Sequence, residues 1–362
     1  MQKKQLIKNI TILCQWSGRI LVFIGFICVS IAIAILQLLA TFFYKYKQNW
    51  YYKYIRRTKK HAGVICMAIA KLLIPSYAIL YGDKIILSHF EKDLNKKEEI
   101  EESNRFIFIS NHQIYIDWFY IWWIAYLKKI DNGIYIVLKD SLKRIPIIGM
   151  KTFGFIFLSR SWQEDHLRFN NHFRNLSLSA NQSMLLLLYP EGTNISLHTK
   201  HQSLAYVKKN DLPILDYVLL PRIKGLYFCL KNLHKTTKYL YDCTIGYEGV
   251  THNTYAQDIY TLKSILFDGQ FPKNVHIHLR RFSIDTVPLD NEDQFKNWLY
   301  NLWIEKDKLM HQFINHGYFP GDFTLKRKIQ LDSILEILSL WDVYIVIFLF
   351  IIFIYYFLKI IY

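Results

Sequence analysis

One histidine and one aspartate stand close together in Ser110-Asn111-His112-Gln113-Ile114-Tyr115-Ile116-Asp117, where an apolar run ends and an aromatic one begins. Moving an acyl group onto an alcohol needs a base that works near neutral pH to take the hydroxyl proton, and imidazole suits that task. The base needs a carboxylate to fix its tautomer and to stabilise the imidazolium. If the chain turns from loop into helix between 112 and 117, the spacing brings the two side chains together. Alone, the spacing is weak support: with 13 His and 18 Asp in the chain, chance supplies roughly 0.6 such pairs. The competing reading is a polar helix cap with a satisfied histidine.

Three further segments carry usable chemistry. Tyr189-Pro190-Glu191-Gly192-Thr193 follows the apolar run MLLLL. A Pro-Glu-Gly turn at a strand end exposes N–H groups and a hydroxyl that can hold a phosphate or shape a head-group pocket; as a plain turn it is ordinary. Gly154-Phe155-Ile156-Phe157-Leu158-Ser159-Arg160 reads as a strand ending in a cation that could grip a phosphodiester in two-pronged fashion. A surface arginine beside Glu164 and Asp165 is the bland alternative. Val218-Leu219-Leu220-Pro221-Arg222 is a strand stopped by proline, mainly structural by itself.

The elements that must position these residues alternate. Expected strands are Lys84–Ser88, Arg105–Ser110, Ile134–Leu138, Gly154–Leu158, Met184–Tyr189, Tyr217–Leu220, Tyr241–Gly246 and Val275–Phe282. Helical stretches such as Asp117–Leu127, Glu164–Ser177 and Glu292–Asn315 fall between them. That pattern specifies an α/β domain, a mixed central sheet flanked by helices, and places the motifs at its edge, where open α/β sheets bind ligands.

Composition points to lipid. Of 362 residues 52% are hydrophobic, 17% aromatic and only 20% charged, so much apolar surface has to lie outside a single core. Residues 20–44 form an uncharged run long enough to span a bilayer, too long for a signal-peptide core. Residues 63–80, interrupted by Lys71 and Pro75, read as a second membrane or interfacial helix. Residues 341–358 read as a C-terminal span. The expected division is a membrane anchor over 1–82, a catalytic domain over 83–325 and a C-terminal membrane helix over 326–362.

Net charge is +16. The cations Lys45, Lys47, Lys53, Arg56, Arg57, Lys59 and Lys60 crowd behind the first run among Tyr and Trp. That is the pattern of a juxtamembrane segment on an anionic leaflet and not of a nucleic-acid fold. They outnumber Lys3, Lys4, Lys8 and Arg19 ahead of the run, so the central domain is expected on the cytosolic face with both tails pointing away. Five cysteines without paired spacing argue against a disulfide framework or a zinc site.

The order of the blocks is more specific than any one of them. NH-x4-D, then KDSLKRIPIIG over 139–149, then Gly154–Arg160, PEGT and LLPR resembles the glycerolipid acyltransferase family, over about residues 106–282. NHQIYIDWFYIWW, FIFLSRSW, YPEGTN and YDCTIGYEGV are most similar to the branch with lysocardiolipin acyltransferase and fungal phosphatidylinositol-remodelling acyltransferases. The resemblance implies that His112 is the general base and Asp117 its orienting partner. It implies that Arg160, Gly192 and Thr193 contact the acceptor's phosphate region, that Glu191 shapes the site, and that Pro221 supports the donor side. Asn111, Lys139 and Arg222 join them as substrate-side candidates.

It implies no bound cofactor or metal: acyl-CoA is a co-substrate, a lysophospholipid the acceptor, the bilayer a partner, and the endoplasmic reticulum the expected membrane. Where phosphatidate-forming members commonly carry arginine after EGT, this chain has Asn194, which favours a diester head group such as phosphatidylinositol over lysophosphatidate. Lysophosphatidate acyl transfer is the first alternative, and a non-catalytic membrane scaffold is the second. A lipid hydrolase would need a G-x-S-x-G elbow, which the sequence lacks.

Overall fold

The computed structural model of the chain describes residues 2–88, 90, 104–144, 152–159 and 162–361. In chain order the elements are α1 (Gln2–Thr41), α2 (Gln48–Leu73), β1 (Tyr77–Gly82), α3 (Lys84–Ser88), β2 (Arg105–Ser110), α4 (Asp117–Leu127), β3 (Ile134–Lys139), β4 (Ile156–Leu158) and α5 (Trp162–Leu178). They continue through β5 (Met184–Leu188), α6 (Leu197–Lys209), α7 (Ile223–Leu233), β6 (Tyr239–Tyr247), α8 (Ala256–Ile259), β7 (Asn274–Ser283), α9 (Glu292–His316), β8 (Phe323–Lys328) and α10 (Trp341–Ile361).

Eight strands make one mixed sheet in the order β4-β3-β5-β2-β6-β7-β1-β8. The five strands from β4 to β6 run parallel; β7 runs against β6, β1 runs with β7, and β8 runs against β1. β2 and β5 are buried on both faces, which is why RFIFIS and MLLLL read as continuous apolar runs. One core cluster joins α1, α2 and α4 to the sheet face carrying Phe106, Phe108, Tyr241, Cys243 and Ile245. A second joins α5, α7 and α9 to the face carrying Ile107, Ile109, Leu186 and Leu240. The chain is thus helix, sheet, helix in three layers, with the carboxyl ends of β2, β3, β4, β5 and β6 along one edge.

Several expectations change. Residues 77–82 are the strand β1, not the end of a membrane helix, because Pro75 disfavours helical backbone at the residue before it and the chain then pairs with β7 and β8. Lys84–Ser88, expected as a strand, is the short helix α3, with Leu87 N–H bonded to Asp83 O. Tyr217–Leu220 is irregular, since the Asp307 carboxylate takes the backbone N–H groups of residues 216–218 that a neighbouring strand would otherwise use. The basic run Lys326-Arg327-Lys328 closes the edge strand β8, with Lys326 and Lys328 exposed. The sheet therefore reaches past both expected limits of the catalytic domain, residues 83 and 325.

The cluster behind the first apolar run is also divided. Lys45, Lys47, Lys53, Arg57 and Lys60 are exposed on the α1–α2 turn and α2. Lys59 is buried, bonded to Ile134 O at 2.8 Å and lying over the Tyr135 ring, while Arg56 bonds Ser183 and Asn132. Ser183 and Asn132 precede β5 and β3, so these contacts pin α2 at the edge opposite the motifs. Its other end reaches the motif edge, where Ser76 bonds Pro272 O just before β1 and β7 begin.

α1 runs antiparallel along α2. Arg19 caps Leu73 O, Ile265 O and Leu266 O, and Gln37 bonds Thr58 at 3.1 Å. Two apolar helices, Trp16–Thr41 within α1 and Ile334–Lys359 including α10, are long and apolar enough to cross a membrane. Asp342, in the first turn of α10, is bonded to Tyr54 and paired with Arg57, and the helix is exposed all round from residue 348 to 359.

Candidate active site

β2 delivers the histidine. Ser110 ends the strand, and the buried Asn111 side chain donates to Ile245 O at 3.0 Å while accepting Ile245 N–H at 2.8 Å. Both polar ends of that amide are thereby committed to β6, so Asn111 clamps the loop to the sheet. The chain then turns through 113–116 into α4, whose first residue is Asp117. α4 is apolar on every side and buried, so its axis is fixed by packing.

This geometry closes the dyad. His112 Nδ1 lies 2.7 Å from Asp117 Oδ2, and Asp117 is 0% exposed while the His112 side chain is 19% exposed. Asp117 Oδ2 also accepts the backbone N–H of Gln113 at 2.6 Å and of Ile114 at 3.1 Å, and Oδ1 accepts the Tyr247 hydroxyl. Donors at a helix start suit a carboxylate. With Nδ1 committed to Asp117, Nε2 is the nitrogen left to take a proton. The imidazole stacks on Tyr189, centroids 4.3 Å apart and planes 24° from parallel, which restrains its rotation.

β5 brings the second motif alongside. Gly192 sits at φ +75 beneath Arg222, and a Cβ there would meet Arg222 Nε at 3.0 Å. Arg222 N–H bonds Pro190 O at 2.8 Å, which draws Pro221 and Arg222 against the turn. Glu191 points inward and is 3% exposed. Its carboxylate accepts the His112 backbone N–H at 3.4 Å and the Trp303 indole N–H at 3.3 Å. Burial pushes its carboxyl up to about 8, against the pull of these donors. Glu191 therefore holds the histidine loop to α9. Thr193 is half-buried on the open side, and the buried Asn194 amide donates to Gln257.

Lys139 ends β3, exposed at the same edge two strands from β2. Arg160 lies outside the described residues, as does the 145–149 part of its neighbouring block; Ser159 just before it donates through its backbone and hydroxyl to Asp165. Thus His112, Asp117, Asn111, Glu191, Gly192, Pro221 and Arg222 come together, with Thr193 beside them and Lys139 at the rim.

Sequence reasoning assigned no role to Tyr189, Tyr247, Trp303 or Lys306. The available signal was periodicity. Alternation along β6 sends Tyr241, Cys243, Ile245 and Tyr247 toward α4, and Lys306 falls on the buried stripe of α9 with Phe295, Leu299, Leu302, Trp303, Met310 and Phe313.

Comparison with known proteins agrees with this geometry. The family described as Acyltransferase matches residues 93–245, and the one described as Acyltransferase C-terminus matches 265–348. The chain is 38% identical to an uncharacterized acyltransferase of Schizosaccharomyces pombe, over 87% of this chain and 90% of that one. It is 34% identical to the 2-acyl-1-lysophosphatidylinositol acyltransferase of Saccharomyces cerevisiae, over 74% and 77%. It is 32% identical to lysocardiolipin acyltransferase 1 of Gallus gallus, over 59% and 55%. With a dyad at the sheet edge, the PEGT turn behind it and relatives aligned over nearly its whole length, the chain belongs to the glycerolipid acyltransferase family and is an acyltransferase.

Proposed function

We propose that this enzyme transfers a fatty acyl group from a coenzyme A thioester to the free hydroxyl of a lysophospholipid, lysophosphatidylinositol first among acceptors. The observation that carries the reading is the His112–Asp117 contact at an open sheet edge. His112 Nε2 takes the acceptor's hydroxyl proton as its oxygen bonds to the thioester carbonyl carbon. The carbon–sulfur bond then breaks, and the proton passes from His112 to the leaving thiolate. Asp117 keeps its charge throughout and stabilises the imidazolium. Because the donor is already activated, no acyl-enzyme is needed, and acyl transfer is direct within one ternary complex.

The diester head group is supported by Asn194. In place of a cation after Gly-Thr the chain has a neutral amide, buried and donating to Gln257. The yeast relative named for 2-acyl-1-lysophosphatidylinositol supports the same acceptor. Lys139 and Arg222, both exposed, and the half-buried Thr193 are the groups offered to the acceptor's phosphate. The test is labelled acyl-CoA with membranes bearing wild type or His112→Ala, against lysophospholipids that differ only in head group. His112-dependent acylation greatest with lysophosphatidylinositol is expected. A preference for lysophosphatidate would overturn the head-group reading, and no His112-dependent transfer would leave a scaffold.

The protein works on a membrane, with its catalytic domain on the cytosolic side, in the endoplasmic reticulum. α10 is the crossing helix. α1 is fastened along α2 from Arg19 to Gln37, about 27 Å at 1.5 Å per residue, and α2 runs from one edge of the sheet to the other. A transverse α1 would carry the sheet into the hydrocarbon, so α1 lies against the leaflet. Ile20, Leu21, Ile24, Ile31, Leu38 and Leu39, exposed along it, enter the lipid. Both basic clusters then share the cytosolic side, which replaces the expectation of two outward tails. A glycosylation acceptor tag on the N-terminus stays unmodified in this arrangement; a glycosylated tag would place α1 across the bilayer.

A further inference from the structure

The Asp117 carboxylate has two oxygens, and they are held differently. Oδ2 takes the His112 side chain and two backbone N–H groups, the latter supplied by the turn itself. Oδ1 takes the Tyr247 hydroxyl, a side chain from the far end of β6. Tyr247 is 1% exposed, and its ring packs near Tyr120 of α4 and Tyr260. Its backbone is set by β6, the same strand that Asn111 clamps through Ile245. The histidine and its carboxylate are thus both registered against one strand end.

We propose that Tyr247 is a positioning residue for the acyl-transfer dyad: its hydroxyl holds Asp117 Oδ1, fixing the carboxylate plane toward His112 and limiting how strongly the carboxylate pulls on the imidazole proton. The proposal rests on His112 being the base. Oδ1 lies in a site without water access, where a lost donor is not replaced by solvent. Burial, with the charge of Asp117 next, pushes the Tyr247 phenol well above its ordinary value, so it stays a donor across the assay range. An undonated Oδ1 concentrates negative charge at the dyad and favours imidazolium too early.

The other groups around the dyad are Tyr120 on α4, Tyr189 and Glu191 after β5, and Cys243 on β6. Burial raises Tyr120 and Tyr189 well above the ordinary phenol value and Cys243 to about 12. Glu191, near 8, is common to every protein compared, so its titration cancels from their differences.

Tyr247→Phe keeps the ring and removes only the oxygen. With the acceptor that wild type prefers, kcat is expected to fall about 10- to 100-fold with KM within about twofold. The acid limb of kcat/KM is expected to move up by about half a unit. In an Asp117→Asn background the same change should have almost no further effect, since a residue acting through Asp117 couples to it. A second readout needs no substrate: the pH midpoint of His112 carbethoxylation, followed on its peptide by mass spectrometry, should move up by the same amount. An unmoved midpoint with kcat within twofold, or effects of Tyr247→Phe and Asp117→Asn that multiply independently, would overturn the proposal. If wild type transfers no acyl group, the failure is that of the proposed function, and the carbethoxylation midpoint still decides whether Tyr247 acts on the dyad.

Discussion

Strand β6 serves two fully buried aspartates, one on each side of the sheet. On the α4 side its last residue, Tyr247, donates to Asp117, whose other partners are two backbone N–H groups and an imidazole. On the α9 side its own Asp242 meets Lys306 at 2.7 Å and Arg280 at 2.7 Å. Lys306 also donates to Cys243 O at 2.6 Å and Thr244 at 3.0 Å. Burial pushes Asp242 toward the neutral form, but the two cations outweigh it and hold the carboxyl below its ordinary range. Cations cancel a charge and fix it in place. Neutral donors fix the carboxylate and leave its charge to act on the one partner that reaches solvent. The same residue type is thereby a structural rivet on one face and, in the proposed mechanism, the charged partner that orients the base on the other.

The same substitution at the two sites should therefore fail in opposite ways. Asp117→Asn keeps the shape and most hydrogen bonds but can set the wrong imidazole tautomer, so kcat should fall about 10³- to 10⁴-fold, by the precedent of histidine–aspartate pairs. Its thermal unfolding should stay close to wild type. Asp242→Asn leaves Lys306 as a buried cation without its counter-charge and should cost about 3–5 kcal/mol, seen as a large drop in unfolding temperature or loss of folded protein. Folded, stable Asp242→Asn protein would mean that Lys306 sheds its proton or finds another partner, and the contrast would not hold. The double change Asp242→Leu with Lys306→Met should recover much of the loss, because replacing a whole buried pair with apolar groups removes the desolvation cost as well. Arg280 keeps Glu305 as its partner in that protein.

Glu191 is an intermediate case, buried like both aspartates but held by N–H donors, with no cation in direct contact among the described residues. Its folded pKa, about 8, lies above the ordinary 4.5. Between those values the folded state binds the proton that the unfolded state has released, so stability is lost as pH rises through that window. Glu191→Gln should flatten the fall in unfolding temperature between about pH 5 and pH 8. An unchanged slope would show that the indole and backbone donors already hold Glu191 ionised.

How much of this was written in the sequence depends on whether a residue's partner is local. β2, β5 and α4 were legible because continuous apolar runs and an aromatic helix need no distant information; α4 begins at Asp117, as expected. The dyad was legible for the same reason, its members lying within one turn. β1 and β8 were not, since residues 77–82 and 323–328 become strands by pairing across nearly the whole chain. Lys59, in a run of cations, gave no sign that it alone would be buried against Ile134 and Tyr135. Tyr247 and Lys306 sat in readable periodic patterns, but a pattern states which face a side chain takes and not what it meets there.

The smallest test concerns the turn between the two regions. Gly192 has φ +75, a backbone conformation that costs about 1 kcal/mol for a residue with a Cβ. An alanine methyl there would also sit 3.0 Å from Arg222 Nε. That atom is on a side chain and not on the backbone, so the guanidinium has to shift by a few tenths of an ångström to admit the methyl. The cost should also appear in binding. Pro190 O still ties the Arg222 backbone in place, but its cation is displaced from the turn where the acceptor's phosphate is proposed to rest. Gly192→Ala is expected to lower unfolding temperature by only a few degrees, about 1–2 kcal/mol, while raising the acceptor KM severalfold and leaving kcat and the acyl-CoA KM nearly unchanged. A drop in kcat with both KM values intact would instead tie this turn, through Glu191, to the position of His112.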